Sequence, residues 1–279
     1  MTPPVVHMFW HGSPLSRVEW LSLSSFIHHG HSVHLHVYED IGPTPNGVTL
    51  IDANETLEHR FLFTHRRTGS VALFADWFRY RLLHDRGGIW ADTDVVCLRP
   101  FSFSVAVIFA WERESYLANG VLGLPKGHPL AKWLADCCEE PNNILPYDPF
   151  GARIRKWRRR YLQGNDRSNI RWAEYGPKGL THAARYFDLL KMALPVDAFY
   201  PIPCEQWSSI FSGDGSRHAE SLKNSYGLHL WNTMLRGDSA FDKNGRHAPL
   251  SLFERLWNRY VDGSRQPTPT FDILPTAAA

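Results

Sequence analysis

Asp92 and Asp94 stand two residues apart inside an apolar run, with Gly87-Gly88-Ile89-Trp90-Ala91 before them and Val95-Val96-Cys97-Leu98 after. In an extended strand, residues two apart share a face, so the two carboxylates converge while Thr93 points away. Such a pair is costly to bury alone, because like charges a few ångströms apart oppose each other's ionisation. A divalent ion with oxygen ligands removes the conflict. The flanks are strand-like and no turn residue interrupts them, so the pattern reads as a metal site at the end of a buried strand rather than a solvated turn.

A helix is expected just upstream, over Ser70 to Asp85. Asp76 and Arg79, three residues apart on it, share a face, while Leu73, Phe74, Trp77 and Leu83 supply packing elsewhere. Spacing alone is met by an ordinary intrahelical ion pair. The helix runs straight into Gly87-Gly88, however, which brings its polar face towards the acidic strand's mouth.

The elements that must position these groups follow from patterning. Val5 to Trp10 reads as a first strand, and Gly12-Ser13-Pro14 opens a helix with Ser13 as N-cap and Pro14 at its first position, closed by Gly30. Ser32 to Tyr38 alternates Val33, Leu35 and Val37 with His34 and His36, a half-buried second strand. Val48 to Ile51 is a third. The helix then feeds the acidic strand, a βαβ arrangement that puts the aspartates at a strand's carboxyl end, where open α/β sheets bind ligands. Val105 to Trp111 and Gly120 to Leu124 read as strands, His128 to Glu139 and Lys178 to Leu190 as helices, Gly227 to Trp231 as a short strand, and Pro249 to Val261 as a final helix. The expected architecture is a single α/β domain over residues 1–262 with a mostly helical insertion at about 128–190, and a flexible tail over 263–279.

Thirty Lys and Arg against 28 Asp and Glu leave a formal charge of +2, so no global field marks a nucleic-acid binder. The four cysteines include no Cys-x-x-Cys, which argues against a zinc cage or a disulfide framework. There is no apolar window long enough for a membrane span, and Met1-Thr2-Pro3-Pro4 does not open a signal peptide, so a cytoplasmic enzyme, with peripheral contact to a membrane's inner face as the variant, is expected.

Asp76-x-x-Arg79-Tyr80, followed by Gly87-Gly88-Ile89-Trp90-Ala91-Asp92-Thr93-Asp94, resembles the core signature of the glycosyltransferases with a DXD sugar-binding region. These include α-1,4-glycosyltransferases, Och1-like mannosyltransferases and, more distantly, the large clostridial glucosylating toxins. Phe9-Trp10-His11-Gly12 resembles their opening strand and His229-Leu230-Trp231-Asn232 their closing one, so the likeness spans about residues 5 to 235. It implies a GT-A-like, Rossmann-type fold, a nucleotide-sugar donor, Mn²⁺ or Mg²⁺, and transfer with retention of anomeric configuration. Carried over, Asp94 is the direct metal ligand, and Asp92 touches the donor ribose and sugar or reaches the metal through water. His229 is a further ligand by its position in the closing strand. Asp76 and Arg79 hold the donor sugar's hydroxyls, next to Tyr80. Trp10 stacks on the base, with His11 and Gly12 beside the nucleotide. Trp231 covers the diphosphate, and Asn232 adds a metal or phosphate contact. Asn119, in Ala118-Asn119-Gly120, bonds the transferred sugar or else makes an Asn-Gly turn. Glu174-Tyr175-Gly176-Pro177, with Thr181 beyond, resembles the family's helix entry near the reacting centre.

The reading is a metal-dependent hexosyltransferase that moves sugar from a nucleotide diphosphate, UDP before GDP, to a hydroxyl of a glycan, glycolipid or small glycoside, as in surface polysaccharide biosynthesis. Two others compete. Apolar strand followed by Asp-x-Asp also describes a haloacid-dehalogenase-like phosphohydrolase, with Asp92 as nucleophile and Asp94 as acid. A carbohydrate- or nucleotide-binding effector module would keep the pocket without turnover. The segment Arg153 to Arg160 is a solvated helix face or a contact with an anionic surface, with Trp157 as anchor.

Overall fold

A computed structural model describes residues 3–12 and 14–263. Along the chain run β1 (Val6–Phe9), α1 (Arg17–His28), β2 (Val33–Val37), β3 (Val48–Asp52), α2 (Ala72–Arg86), β4 (Gly88–Ala91), β5 (Val95–Cys97), β6 (Ile108–Arg113) and β7 (Tyr116–Leu124). Then come α3 (Pro129–Glu139), α4 (Phe150–Leu162), α5 (Pro177–Tyr186), α6 (Ala219–Leu222), β8 (Gly227–His229), α7 (Asn232–Gly237) and α8 (Leu252–Trp257).

The chain divides into two compact units. One comprises residues up to Ile51, Ala91–Ser102 and the chain from Pro195; the other comprises Asp52–Trp90 and Phe103–Leu194. In the first unit β3, β2 and β1 lie in that order, and β1 pairs with β2 in parallel, Val6 opposite Val33 and Phe9 opposite His36. The strand, helix, strand opening of a Rossmann-type fold is therefore present. β2 departs from the half-buried strand expected: Val33, Leu35 and Val37 are buried, and so is His36 on the other face, where His7 Nδ1 lies 3.1 Å from His36 Nε2. β5 and β8 form a separate antiparallel pair, Val95 opposite His229.

α1 begins later than its sequence suggests. Ser13 lies outside the described residues, and the cap is Ser16, whose Oγ accepts the Val18 N–H at 3.2 Å while Glu19 Oε2 accepts the Ser16 N–H at 3.0 Å. Ser16-x-x-Glu19 is a capping box, which satisfies two orphan donors where a lone Ser-Pro start satisfies one.

In the second unit β4, β7 and β6 are neighbours, β6 and β7 pair antiparallel, and α5 packs on β7 while α2 packs on α3. α2 ends at Gly87, which adopts φ 72°; a Cβ there would lie 2.5 Å from the Lys126 backbone nitrogen, so the turn into β4 admits no side chain. Asn119-Gly120 lies inside β7, so the Asn-Gly turn is not formed. Residues 129–186 carry α3, α4 and α5. The final helix is split into α8 and a π-helical turn over Asn258–Asp262.

Candidate functional site

The acidic pair does not sit in one continuous strand. β4 stops at Ala91 and β5 starts at Val95 in a different sheet, so Asp92-Thr93-Asp94 forms the turn between them, closed by the Val95 N–H donating to the Asp92 carbonyl at 3.0 Å. Burial of both flanks gives the sequence its uninterrupted apolar look; the change of sheet is what bends the chain. The aspartates still follow directly from the carboxyl end of a buried strand.

β8 supplies the third member. Pairing of Val95 with His229, together with the Leu230 N–H donating to the Asp94 carbonyl at 2.8 Å, draws the imidazole to the acidic turn. One ligand atom each from Asp92, Asp94 and His229 lie within 4.8 Å of one another, and His229 Nε2 is 3.6 Å from Asp94 Oδ1. Asp94 is buried, and its Oδ2 accepts the backbone N–H of Asn232 at 2.6 Å. Asn232 Oδ1 is buried with no hydrogen-bond partner among the described residues. Two carboxylates and one imidazole form a donor set suited to Mn²⁺ or Mg²⁺, with the nitrogen favouring the transition metal.

The closing segment is held in a strained form. Trp231 has φ 62°, in the left-handed region, at the N-terminus of α7. Its N–H donates to His229 Nδ1 at 3.1 Å, its indole N–H donates to the Ile202 carbonyl at 2.8 Å, and its ring meets the His229 ring edge-on at 4.5 Å. Trp231 is thus largely buried and braces His229. Tyr200, which no motif or local period singles out, packs on both rings at 5.5 and 5.8 Å. Trp10 is 7% exposed, with the Lys243 ammonium 5.6 Å from its ring centroid. His11 Nδ1 lies 3.5 Å from Glu39, and Gly12 has φ 109°, a conformation that suits glycine.

The second unit holds a separate polar cluster. Asp76 and Arg79 are both buried on α2, 3.5 Å apart. Asn119 serves both: its backbone carbonyl accepts from Arg79 Nη1, and its side-chain nitrogen donates to Asp76 Oδ1 at 2.7 Å. The same nitrogen donates to the Tyr80 hydroxyl at 3.2 Å, which in turn donates to the Tyr175 carbonyl at 2.9 Å. The donor side of the Asn119 amide is committed to the protein. Burial first, and the Asp76 charge second, push the Tyr80 phenol far above its usual value and keep it neutral. The Arg79 guanidinium lies 4.9 Å from the Trp90 ring centroid. Gly176 completes the cluster, since a Cβ there would sit 2.9 Å from Asp76 Oδ2. Glu174 is instead paired with Arg159, and Thr181 Oγ1 accepts the Leu117 N–H at 2.9 Å. The structure therefore gathers Asp92, Asp94, His229 and Asn232 in one cluster and Asp76, Arg79, Tyr80 and Asn119 in another.

Two stretches of the chain match known protein families. The glycosyltransferase sugar-binding region containing the DXD motif matches residues 25–115, and the alpha 1,4-glycosyltransferase conserved region matches residues 168–255. The mouse (Mus musculus) lactosylceramide 4-alpha-galactosyltransferase is 28% identical over 60% of this chain and 43% of its own length. The human (Homo sapiens) alpha-1,4-N-acetylglucosaminyltransferase is 24% identical over 75% of this chain and 58% of its own. This chain thus spans about half the length of those curated relatives. Among solved structures, the ligand-free glycosyltransferase domain from the YGT toxin aligns with a TM-score of 0.45 at 9% identity, over 79% of this chain and 86% of that one, too slight a likeness to carry weight. Residues 25–115 and 168–255 thus each match a glycosyltransferase region, the first of them the one that contains the DXD motif.

Proposed function

We propose that this chain is a metal-dependent, retaining glycosyltransferase that moves a hexose from a UDP-sugar to a hydroxyl of a glycolipid or glycan. The observation that carries the reading is the convergence of Asp92, Asp94 and His229 to within 4.8 Å, in a chain whose DXD region matches the family. Mn²⁺ or Mg²⁺ bound there supplies positive charge against the leaving diphosphate. Asp94, fixed by the Asn232 N–H, and His229, braced by Trp231, are the residues to hold it, with Asp92 reaching it directly or through water.

Asp76 and Arg79 take the donor sugar in this reading. A buried carboxylate accepts from neighbouring hydroxyls, and a guanidinium donates to sugar or phosphate oxygens through charge-assisted bonds about twice as strong as neutral ones. Asn119 and Tyr80 hold that pair in register. Trp10 is the surface proposed for the base, with His11 and Gly12 beside it. Similarity to a lactosylceramide 4-alpha-galactosyltransferase and an alpha-1,4-N-acetylglucosaminyltransferase makes galactose and N-acetylglucosamine the first sugars to try.

Thermal-shift and calorimetric titration with UDP, GDP and their sugar conjugates, with and without Mn²⁺, tests the reading. Expected is a metal-dependent rise in stability with one uridine nucleotide, by mass action, and slow donor hydrolysis without acceptor. Response to no nucleotide, with hydrolysis of a phosphomonoester, would return the chain to the phosphohydrolase reading. Nucleotide binding without any transfer or donor hydrolysis would make it a binding module.

A further inference from the structure

We propose that α4 is a docking helix for an anionic lipid bilayer, lying in the plane of the membrane surface. Phe150, Ile154, Trp157 and Tyr161 are 78%, 48%, 51% and 64% exposed. At about 100° per residue, these four fall within a sector of roughly 60° on one side of the helix. Arg153 and Arg160 flank that stripe on one side and Arg158 on the other, with half-buried Arg155 further round.

The opposite face is spoken for. Lys156 and Arg159 are buried there, Lys156 Nζ donating to Asp148 Oδ2 at 2.8 Å and Arg159 donating to both Glu174 oxygens at 2.8 and 2.7 Å. The basic run is therefore neither a uniformly solvated face nor a uniform patch. Two cations fasten the helix, and among the described residues Arg153, Arg155, Arg158 and Arg160 enter no ion pair.

Apolar side chains flanked by arginines on both sides match the acyl and headgroup levels of a lipid interface, with the arginine stems lying along the apolar stripe and their heads in the anionic layer. A nucleic-acid backbone would use the charges but leave the stripe wet. A second copy placed symmetrically would set arginines against arginines. The 13-residue helix is too short to cross a bilayer, and no helix among the described residues is long and apolar enough to do so. Glu174, held by Arg159, lies two residues before Gly176, so the docking helix also anchors the segment packed against Asp76.

Flotation of the purified protein with phosphatidylcholine vesicles, with and without phosphatidylglycerol, is the test. Expected is binding to the anionic vesicles only, weakened by salt. Replacing Arg153, Arg155, Arg158 and Arg160 together by Gln should lower it roughly tenfold or more. Brominated acyl chains should quench part of the tryptophan emission in the native protein, and that part should be missing in Trp157→Phe. Unchanged Tm and unchanged nucleotide response establish that each variant is folded. Equal binding to neutral vesicles, no flotation, or full binding by the arginine variant would overturn the proposal. So would a dimer lost on Trp157→Ala, or retention by an oligonucleotide but not by vesicles.

Discussion

The backbone N–H of Asn232 donates to Asp94 Oδ2 at 2.6 Å, joining two residues 138 positions apart and leaving Asp94 Oδ1 facing His229 Nε2 at 3.6 Å. One carboxylate oxygen is thus spent on holding the turn, and the other is turned towards the cluster. Removing the charge while keeping the acceptor separates these tasks.

Asp94→Asn keeps an oxygen for the Asn232 N–H. Its Tm without metal should stay close to that of the native protein. Mn²⁺ affinity, measured by calorimetry, should fall beyond the roughly 10- to 100-fold that loss of a supporting partner costs. An unaltered affinity would remove Asp94 from the metal site.

His229→Ala removes a candidate ligand and the acceptor for the Trp231 N–H, so two readouts should move together. Metal-dependent nucleotide binding should weaken, and stability should drop by about 1–3 kcal/mol for the buried donor left unpaired. A loss of stability with metal binding intact would leave His229 as a brace for Trp231 and nothing more.

Gly176→Ala tests the second cluster. A Cβ added at Gly176 would meet Asp76 Oδ2 at 2.9 Å. Overpacking of this kind costs about 1–3 kcal/mol. Transfer should fall sharply while metal-dependent UDP binding persists. Normal turnover would show that the setting of Asp76 is not critical.

His29 gives a pH test. Burial, and then the neighbouring charges of His28, Arg259 and His31, lower its pKa from 6.5 to about 4. Between those values the unfolded chain takes up a proton that the folded one refuses. This contribution to stability is therefore fully present above pH 6.5 and declines as the pH falls towards about 4. Urea midpoints over that range should show a shallower decline in His29→Gln than in the native protein; parallel curves would count against the assignment.

Much of the first unit was legible because local patterning is decided by near neighbours. β1, β2 and β3 fall within a residue or two of their expected bounds, as does α2 in the second unit. The start of α1 was misjudged because Ser13-Pro14 offers one start signal, whereas Ser16-x-x-Glu19 offers a reciprocal pair three residues on. Asp92 and Asp94 were legible as a pair, but their turn was not. An apolar strand that ends and one that changes sheet read alike when both flanks are buried.

Residue type and a local period of two or of 3.6 suffice for the acidic pair, the Asp76–Arg79 spacing, the basic run and the βαβ order. Only the tertiary structure decided that His229 and Asn232 complete the acidic cluster. It alone decided, too, that Asn119 grips both Asp76 and Arg79, and that Lys156 and Arg159 turn inward while their neighbours stay out. These outcomes depend on strand pairing and burial between residues 8 to 138 positions apart, and no local period encodes which partner a side chain will meet.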